Sequence, residues 1–317
     1  MATTTSLTTT YAGQDAKLWV KAALLSGNTL ANDGLTVLPN VKYKAVVHKL
    51  ATDAILKDAS CDFTATSTVT ITERIITPKE LQVNLQLCKR DFKNSWSAEE
   101  MGMSAHDVLP KSFSDYLISY VAEKVAAAVE TSIWQGVTGT SGQFDGFKTL
   151  LSVDAALPAA QEIASTTCTA SNIIAELRKI TAAIPDAIFG REDLYIYLSI
   201  NMYKAYIQAL GGFSVAATSN NGVDAKGTQW YNGQSLTFDG VKLFVANGLP
   251  ADTAIATTKD NLFFGCGLLD DANIVKVLDT AETLGDENVR IIMRMTAAVQ
   301  YHSVSDIVTY GITNSAN

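Results

Sequence analysis

The residues of this chain able to build a reactive centre are few and scattered. His48, His106 and His302 are its three histidines, they stand in unrelated settings, and none has the spacing of a metal ligand pair or of a nucleophile and its base. Cys61, Cys88, Cys168 and Cys266 include no C-x-x-C pair, which suits reduced and mostly buried thiols better than a disulfide framework or a zinc site. Gly139-Thr140-Ser141-Gly142 imitates a nucleophile elbow, but the final position of G-x-S-x-G is Gln143, and no apolar strand precedes it. Gly265 and Gly267 open a G-x-G whose third glycine position is Asp270, so no dinucleotide loop forms there. The sequence therefore predicts no catalytic residue, no metal and no cofactor. An α+β enzyme with acids brought together only in space is the reading this leaves open. The chemistry that remains is that of burial: which apolar faces exist, and what covers them.

The elements that set those faces are organised around one segment, Lys111 to Trp134. Phe113, Leu117, Val121 and Val125 step by four, and Ile118, Val125, Val129 and Ile133 add a neighbouring row, giving one broad buried stripe. Ser112 and Asp115 have capping-box spacing behind Pro110, and Gly136 is the stop. At 1.5 Å per residue the rod is roughly 36 Å long, about twice the usual globular helix. Ser114, Ser119, Glu123, Lys124 and Glu130 are expected on its wet face.

Upstream, residues 1–40 are rich in Thr, Ser, Ala, Asn and Gly and read as an arm. Its one apolar cluster includes Leu18, Trp19, Val20, Leu24 and Leu25, too short for a core of its own and expected to dock on the body or on a neighbour. Residues 41–57 form a connector in which 43–56 mixes helical and strand spacing. From 58 to 90 the pattern becomes strict alternation: Phe63, Ala65, Val69 and Ile71 against threonines, then Leu81, Val83, Leu85 and Leu87 against polar residues, with Thr77-Pro78 between. This predicts two long strands paired with each other as a ribbon, the alternative being two strands of a larger sheet. An isolated two-stranded ribbon is marginal in water, so it must lie across another surface.

Downstream of the long helix, residues 171–184 read as an amphipathic helix with Ser171 as cap and Pro185 as stop. Residues 194–200 read as a buried strand and 202–210 as a short helix. The interval 214–234, with Asn220, Asn221 and Gly222, suits an exposed loop presented to a partner. Asp239-Gly240 between two apolar runs is a hairpin signal, 254–258 a strand and 260–265 a turn. The segments 273–277, 288–299 and 306–310 are β-rich and are expected in one sheet, with Arg290, Arg294 and Gln300 on its wet side.

A chain of 317 residues, 47% hydrophobic and 18% charged, holds a substantial core. Its net charge of -8 argues against a free-standing nucleic-acid binder. No run of eighteen apolar residues is present, and the N-terminus has neither a basic leader nor an apolar stretch, so neither a membrane span nor a signal peptide is expected.

The order polar arm, Thr-rich ribbon, long helix, short helix, then a mixed domain with FDGVKLFVANGLP at 238–250 and KDNLFFGCGLLDDANIVKVLD at 259–279 resembles the major capsid proteins of tailed double-stranded DNA phages, the Hong Kong 97-like fold. The resemblance spans nearly the whole chain and implies an α+β fold. It implies an N-terminal arm (1–40), an extended loop lying over a neighbouring subunit (58–90), a peripheral domain (91–187) containing a spine helix (111–134), an axial domain (188–270) and return strands (271–317). The loop 214–234 would then point to a five-fold or six-fold centre. It further implies inter-subunit contacts at Leu18, Trp19, Val20, Thr70, Ile71, Ile75, Ile76, Lys79, Asn220 and Asn221. Some members cross-link an extended-loop lysine to a neighbour's asparagine; Lys79 is available, without a signature for that chemistry. The implied partners are many copies of the chain itself as hexamers and pentamers, a separate scaffolding protein (forty residues being too few for a built-in scaffold), a portal and decoration proteins. Double-stranded DNA would be enclosed without sequence-specific binding, and no membrane is involved. The implied location is the virion capsid, assembled in the bacterial cytoplasm. An encapsulin-type nanocompartment shell shares the fold and is the alternative.

Overall fold

The computed structural model describes residues 27–41, 43–53, 55–59, 61, 65, 68–88, 111–210, 236–267, 276–281 and 285–316, with the side chains of 111–117 and 120 excepted. Its strands are β1 (Thr36–Leu38), β2 (Ala45–Thr52), β3 (Val69–Ile76), β4 (Lys79–Cys88), β5 (Glu162–Ile163), β6 (Leu194–Leu198), β7 (Thr237–Phe238), β8 (Val241–Val245), β9 (Ala254–Thr258), β10 (Leu262–Cys266), β11 (Lys276–Asp279), β12 (Asn288–Tyr301) and β13 (Val308–Tyr310). They form a sheet in the order β1-β10-β12-β11 with β4 on the other side of β12, a second sheet in the order β5-β13-β9-β6-β8-β7, and the separate pair β2-β3.

The long helix runs from Lys111 to Gln135, 25 residues, and its expected stripe is buried: Ile118, Val121, Val125, Val129 and Ile133, joined by Trp134. It stops because Gly136 is wedged in place. A Cβ there would lie 2.2 Å from the Phe144 carbonyl oxygen, so only glycine lets the following loop close against the last turn. These side chains share one core with the inward row of β12, from Val289 through Ile291, Met293, Met295 and Ala297 to Tyr301, while Arg294 on the same strand is exposed. Trp134 sits at the junction, its ring 5.5 Å from Phe147 and 5.2 Å from Tyr197.

The second core forms on the far side of the six-stranded sheet. Leu194, Ile196 and Leu198 face helix Ile173–Ala183 and helix Ile200–Leu210, whereas Tyr195 and Tyr197 turn to the first core. Both faces of β6 are covered, which is why it reads as a continuous apolar run. The hairpin at Asp239-Gly240 forms as expected, with φ of 47° and 83° at the two turn residues.

Several expectations are corrected. The two runs of the 58–90 segment do not pair with each other: β3 pairs antiparallel with β2, and β4 pairs antiparallel with β12 over ten residues from Lys79 to Cys88. The alternation of Leu81, Val83, Leu85 and Leu87 is real, but it serves the main core. The ambiguous 43–56 segment supplies the ribbon's other strand, because its partner selects the extended form. Residues 27–38 of the expected arm lie on the body, with β1 parallel to β10 and the Tyr197 hydroxyl donating to the Gly34 carbonyl at 2.7 Å. Glu130 is not on the wet face but buried. Residues 262–266 are a strand, and 308–310 join the six-stranded sheet, not that of β12. Asn172, not Ser171, precedes the helix Ile173–Ala183, and no side-chain cap bond forms there.

Candidate assembly surface

The ribbon β2-β3 is built the opposite way round from an ordinary surface hairpin. Its register places Val46 opposite Ile75, His48 opposite Glu73, Leu50 opposite Ile71 and Thr52 opposite Val69 on one face. That face points outward: Leu50 is 66% exposed, Ile71 64%, Val69 56%, Ile75 47% and Val46 45%. The other face, with Val47, Lys49 and Arg74, leans on the body through polar groups. At the ribbon's far end Ile55 and Leu56 are exposed as well. Covering five half-exposed aliphatic side chains is worth on the order of 1 kcal/mol each.

The root of the ribbon is fixed. Ile76 is fully buried, close against Gly265. The Arg74 guanidinium donates to Asp154 Oδ2 at 2.6 Å and lies 4.4 Å above the Tyr301 ring, whose hydroxyl donates to the same carboxylate oxygen. Asp154 is itself held, its Oδ1 accepting from Ala156 N at 2.9 Å and its carbonyl from Asn314 Nδ2 at 2.7 Å. Burial pushes its carboxyl up, but the hydrogen bonds from Tyr301, Ala156 and Arg74 outweigh this and leave it below the ordinary carboxylate value. Lys49 Nζ donates to Ser303 and Ser305, Gln300 Nε2 donates to the Ile75 carbonyl at 3.1 Å, and the His302 ring nitrogen meets the His48 carbonyl at 2.6 Å. Two histidines from unrelated stretches are thus brought together, through one ring and one backbone carbonyl, with no nucleophile or metal geometry. Among the described residues no group of three His, Cys, Asp or Glu side chains could hold a metal, and no helix is long and apolar enough to cross a membrane.

Glu130 anchors the other junction. Its carboxylate accepts from the Thr29 N–H at 3.0 Å and from the Thr29 hydroxyl, which in turn accepts from Trp134 Nε1 at 2.8 Å. This ties the chain at residue 29 to the C-terminal end of the long helix. In the second core the Tyr310 hydroxyl bridges Glu176 at 3.0 Å and the Cys168 thiol at 3.6 Å. Burial pushes the Cys168 and Cys266 thiols up, away from the thiolate a nucleophile needs. Cys88 is half-buried and Cys61 exposed; all four cysteines are free.

No protein-family model and no curated protein sequence matches the chain. Solved structures do. The chain is similar to the capsid of an empty GTA particle at 15% identity, covering 92% of this chain and 90% of that one with a TM-score of 0.56. It is similar to the capsid of Cyanophage P-SCSP1u at 12% identity, covering 90% and 88% with a TM-score of 0.54. The capsid of Myoviridae Phage XM1 matches at 12% identity, covering 90% and 91% with a TM-score of 0.54.

The fold is the Hong Kong 97-like capsid fold. Within this Hong Kong 97-like chain, the residues expected at subunit contacts fall into three groups. Thr70, Ile71 and Ile75 are exposed on the ribbon, Thr70 on the face opposite to Ile71 and Ile75. Ile76 is buried in its own subunit, and the half-buried Lys79 donates through Nζ to the Thr138 and Gln143 carbonyls at 2.8 and 2.7 Å. Leu18, Trp19, Val20, Asn220 and Asn221 lie outside the described residues, as do His106 and the 214–234 loop. Val46 and Leu50, the other half of the exposed face, were missed because their segment carries no clean period until a partner strand is supplied.

Proposed function

We propose that this chain is the structural major capsid protein of a tailed double-stranded DNA phage, assembling as hexamers and pentamers into a closed icosahedral head. The observation that carries this is the outward apolar face of β2-β3, on a fold shared with the phage and GTA capsids it resembles. A single copy leaves that face in water. A neighbouring copy that covers it gains about 5 kcal/mol of burial per ribbon, of the same order as the cost of association. One such contact is therefore weak, and many around closed symmetry are strong. The ribbon takes the role of the extended loop, with the long helix as spine. The second core, from helix Ile173–Ala183 through β9, takes that of the axial domain, with its boundary ahead of residue 188. The capsids of phages and of GTA particles among its structural neighbours favour a genome container over an encapsulin-type compartment. A net charge of -8 fits a wall that does not bind the enclosed DNA tightly. A separate scaffolding protein, a portal and decoration proteins complete the proposed partners, and the virion head is the proposed location. The role needs no catalytic group, and the raised thiols and the carbonyl-bound Lys79 amine fit a non-enzymatic, uncross-linked subunit. Expression with and without the neighbouring reading frames, followed by negative-stain imaging, tests it. Closed shells or ring-shaped hexamers are expected, and a compact monomer at all concentrations would overturn the assignment.

A further inference from the structure

The body-facing side of the ribbon makes its contacts through charge and hydrogen bonds, not through apolar packing. Beyond the buried Ile76, strand β3 meets the body through the Ile75 carbonyl, which accepts from Gln300, and through the Arg74 guanidinium, enclosed between the Asp154 carboxylate and the Tyr301 ring. Strand β2 meets it through Lys49 on Ser303 and Ser305 and through the His48 carbonyl on His302. Apolar packing tolerates sliding, whereas a planar guanidinium aimed at a carboxylate and stacked on a ring tolerates little. The three members of the cluster come from separate parts of the chain: the ribbon, the turn after helix Phe147–Leu151, and the end of β12. Asn314 holds the Asp154 backbone from a fourth.

We propose that Arg74, Asp154 and Tyr301 form a latch that sets the direction in which the ribbon leaves the body, so that its apolar face is already turned outward in the free subunit. Its consequence for assembly rests on the capsid function above; the latch itself does not. Pre-aiming removes from each subunit contact the cost of ordering the ribbon, which otherwise opposes a weak interface. Releasing the latch removes the stacked, charge-paired tie and leaves the β2-β3 ladder, the buried Ile76 and the hydrogen bonds of Lys49, Gln300 and His302 in place, so the ribbon pivots about them and does not unfold.

The test is a distance distribution measured by pulsed electron paramagnetic resonance on the unassembled full-length chain. One spin label is carried on the exposed Cys61 and the other on Ala127→Cys, an exposed position of the long helix, in a Cys88→Ser background. One narrow distance is expected with the latch intact. Arg74→Ala and Asp154→Ala are expected to broaden it at least twofold, with Arg74→Lys in between. Amide exchange protection of the β4-β12 ladder should stay unchanged. An unaltered width in both alanine variants, or a broad distribution already present before substitution, overturns the proposal. Should the alanine variants fail to fold, Tyr301→Phe keeps the ring and removes only the hydroxyl's hydrogen bond; a smaller broadening is expected, and none would count against the latch. In assembly assays the released variants should form the same shells several-fold more slowly. A chain that shows the narrow distance and its release but never assembles would keep the latch and remove the capsid function.

Discussion

The ribbon β2-β3 and the layer formed by the long helix on β12 and β4 use similar side chains in opposite senses. In the layer, Ile118, Val125, Ile133, Ile291 and Met293 turn inward and the charges of β12 turn out. In the ribbon, Leu50, Ile71 and Ile75 turn out, and Lys49 and Arg74 turn in. The layer buries its apolar side within one chain, while the ribbon leaves its apolar side exposed. An apolar face held outward by polar ties fits a surface kept for a partner, because it stays exposed while the ties hold the ribbon.

The comparison breaks most decisively at the ribbon. Leu50→Ser combined with Ile71→Ser is expected to abolish shell formation in sedimentation and imaging. The stability of the isolated chain should change by less than about 0.5 kcal/mol, as for surface sites. Shells of normal yield, or a chain that no longer folds, would contradict the outward role. The reverse pattern is expected in the layer. Trp134→Ala, at the centre of the aromatic junction, should cost about 3–5 kcal/mol in denaturant unfolding, and assembly should fail only because the subunit does.

Smaller effects sharpen the contrast. Glu130→Ala leaves the Thr29 N–H and hydroxyl without an acceptor in a buried site, and is expected to cost about 1–3 kcal/mol, with Glu130→Gln milder. Chemical denaturation of both variants measures this, and equal stabilities would deny the carboxylate its anchoring role. Gly240→Ala, at φ 83°, should cost about 1 kcal/mol in the same assay without touching assembly.

The pH dependence is the smallest effect. Asp154 and Glu176 both sit below their ordinary values of 3.8 and 4.5: burial opposes this, and hydrogen bonds to Tyr301 and Lys179 lead the groups that outweigh it. A depressed folded value means that the unfolded chain binds more protons. Their stabilisation is therefore present above the ordinary carboxylate values and lost as the pH falls through the folded ones. Asp154→Asn is expected to flatten the acid limb of a stability profile, and an acid limb unchanged in slope would show that the carboxylate is not linked to folding.

The sequence alone was sufficient where periodicity and turn chemistry act within a short window. The long helix, its buried stripe, its stop at Gly136 and the Asp239-Gly240 hairpin are local facts, decided by spacing and by φ. The alternating strand 79–88 was equally legible as a strand, yet its partner was not. Strand alternation says which face is apolar and nothing about which edge meets which, so β4 could as well have paired with β3 as with β12. The same limit hid strand β2, whose mixed spacing becomes extended only when β3 binds it. It also hid Glu130, a carboxylate drawn inside by Thr29, about a hundred residues earlier in the chain. What tertiary structure decided was non-local: which strands pair, which charge is buried, and that the ribbon's apolar side faces away from its own body. The last of these follows from Arg74 finding Asp154 and Tyr301, three residues that no local pattern brings together.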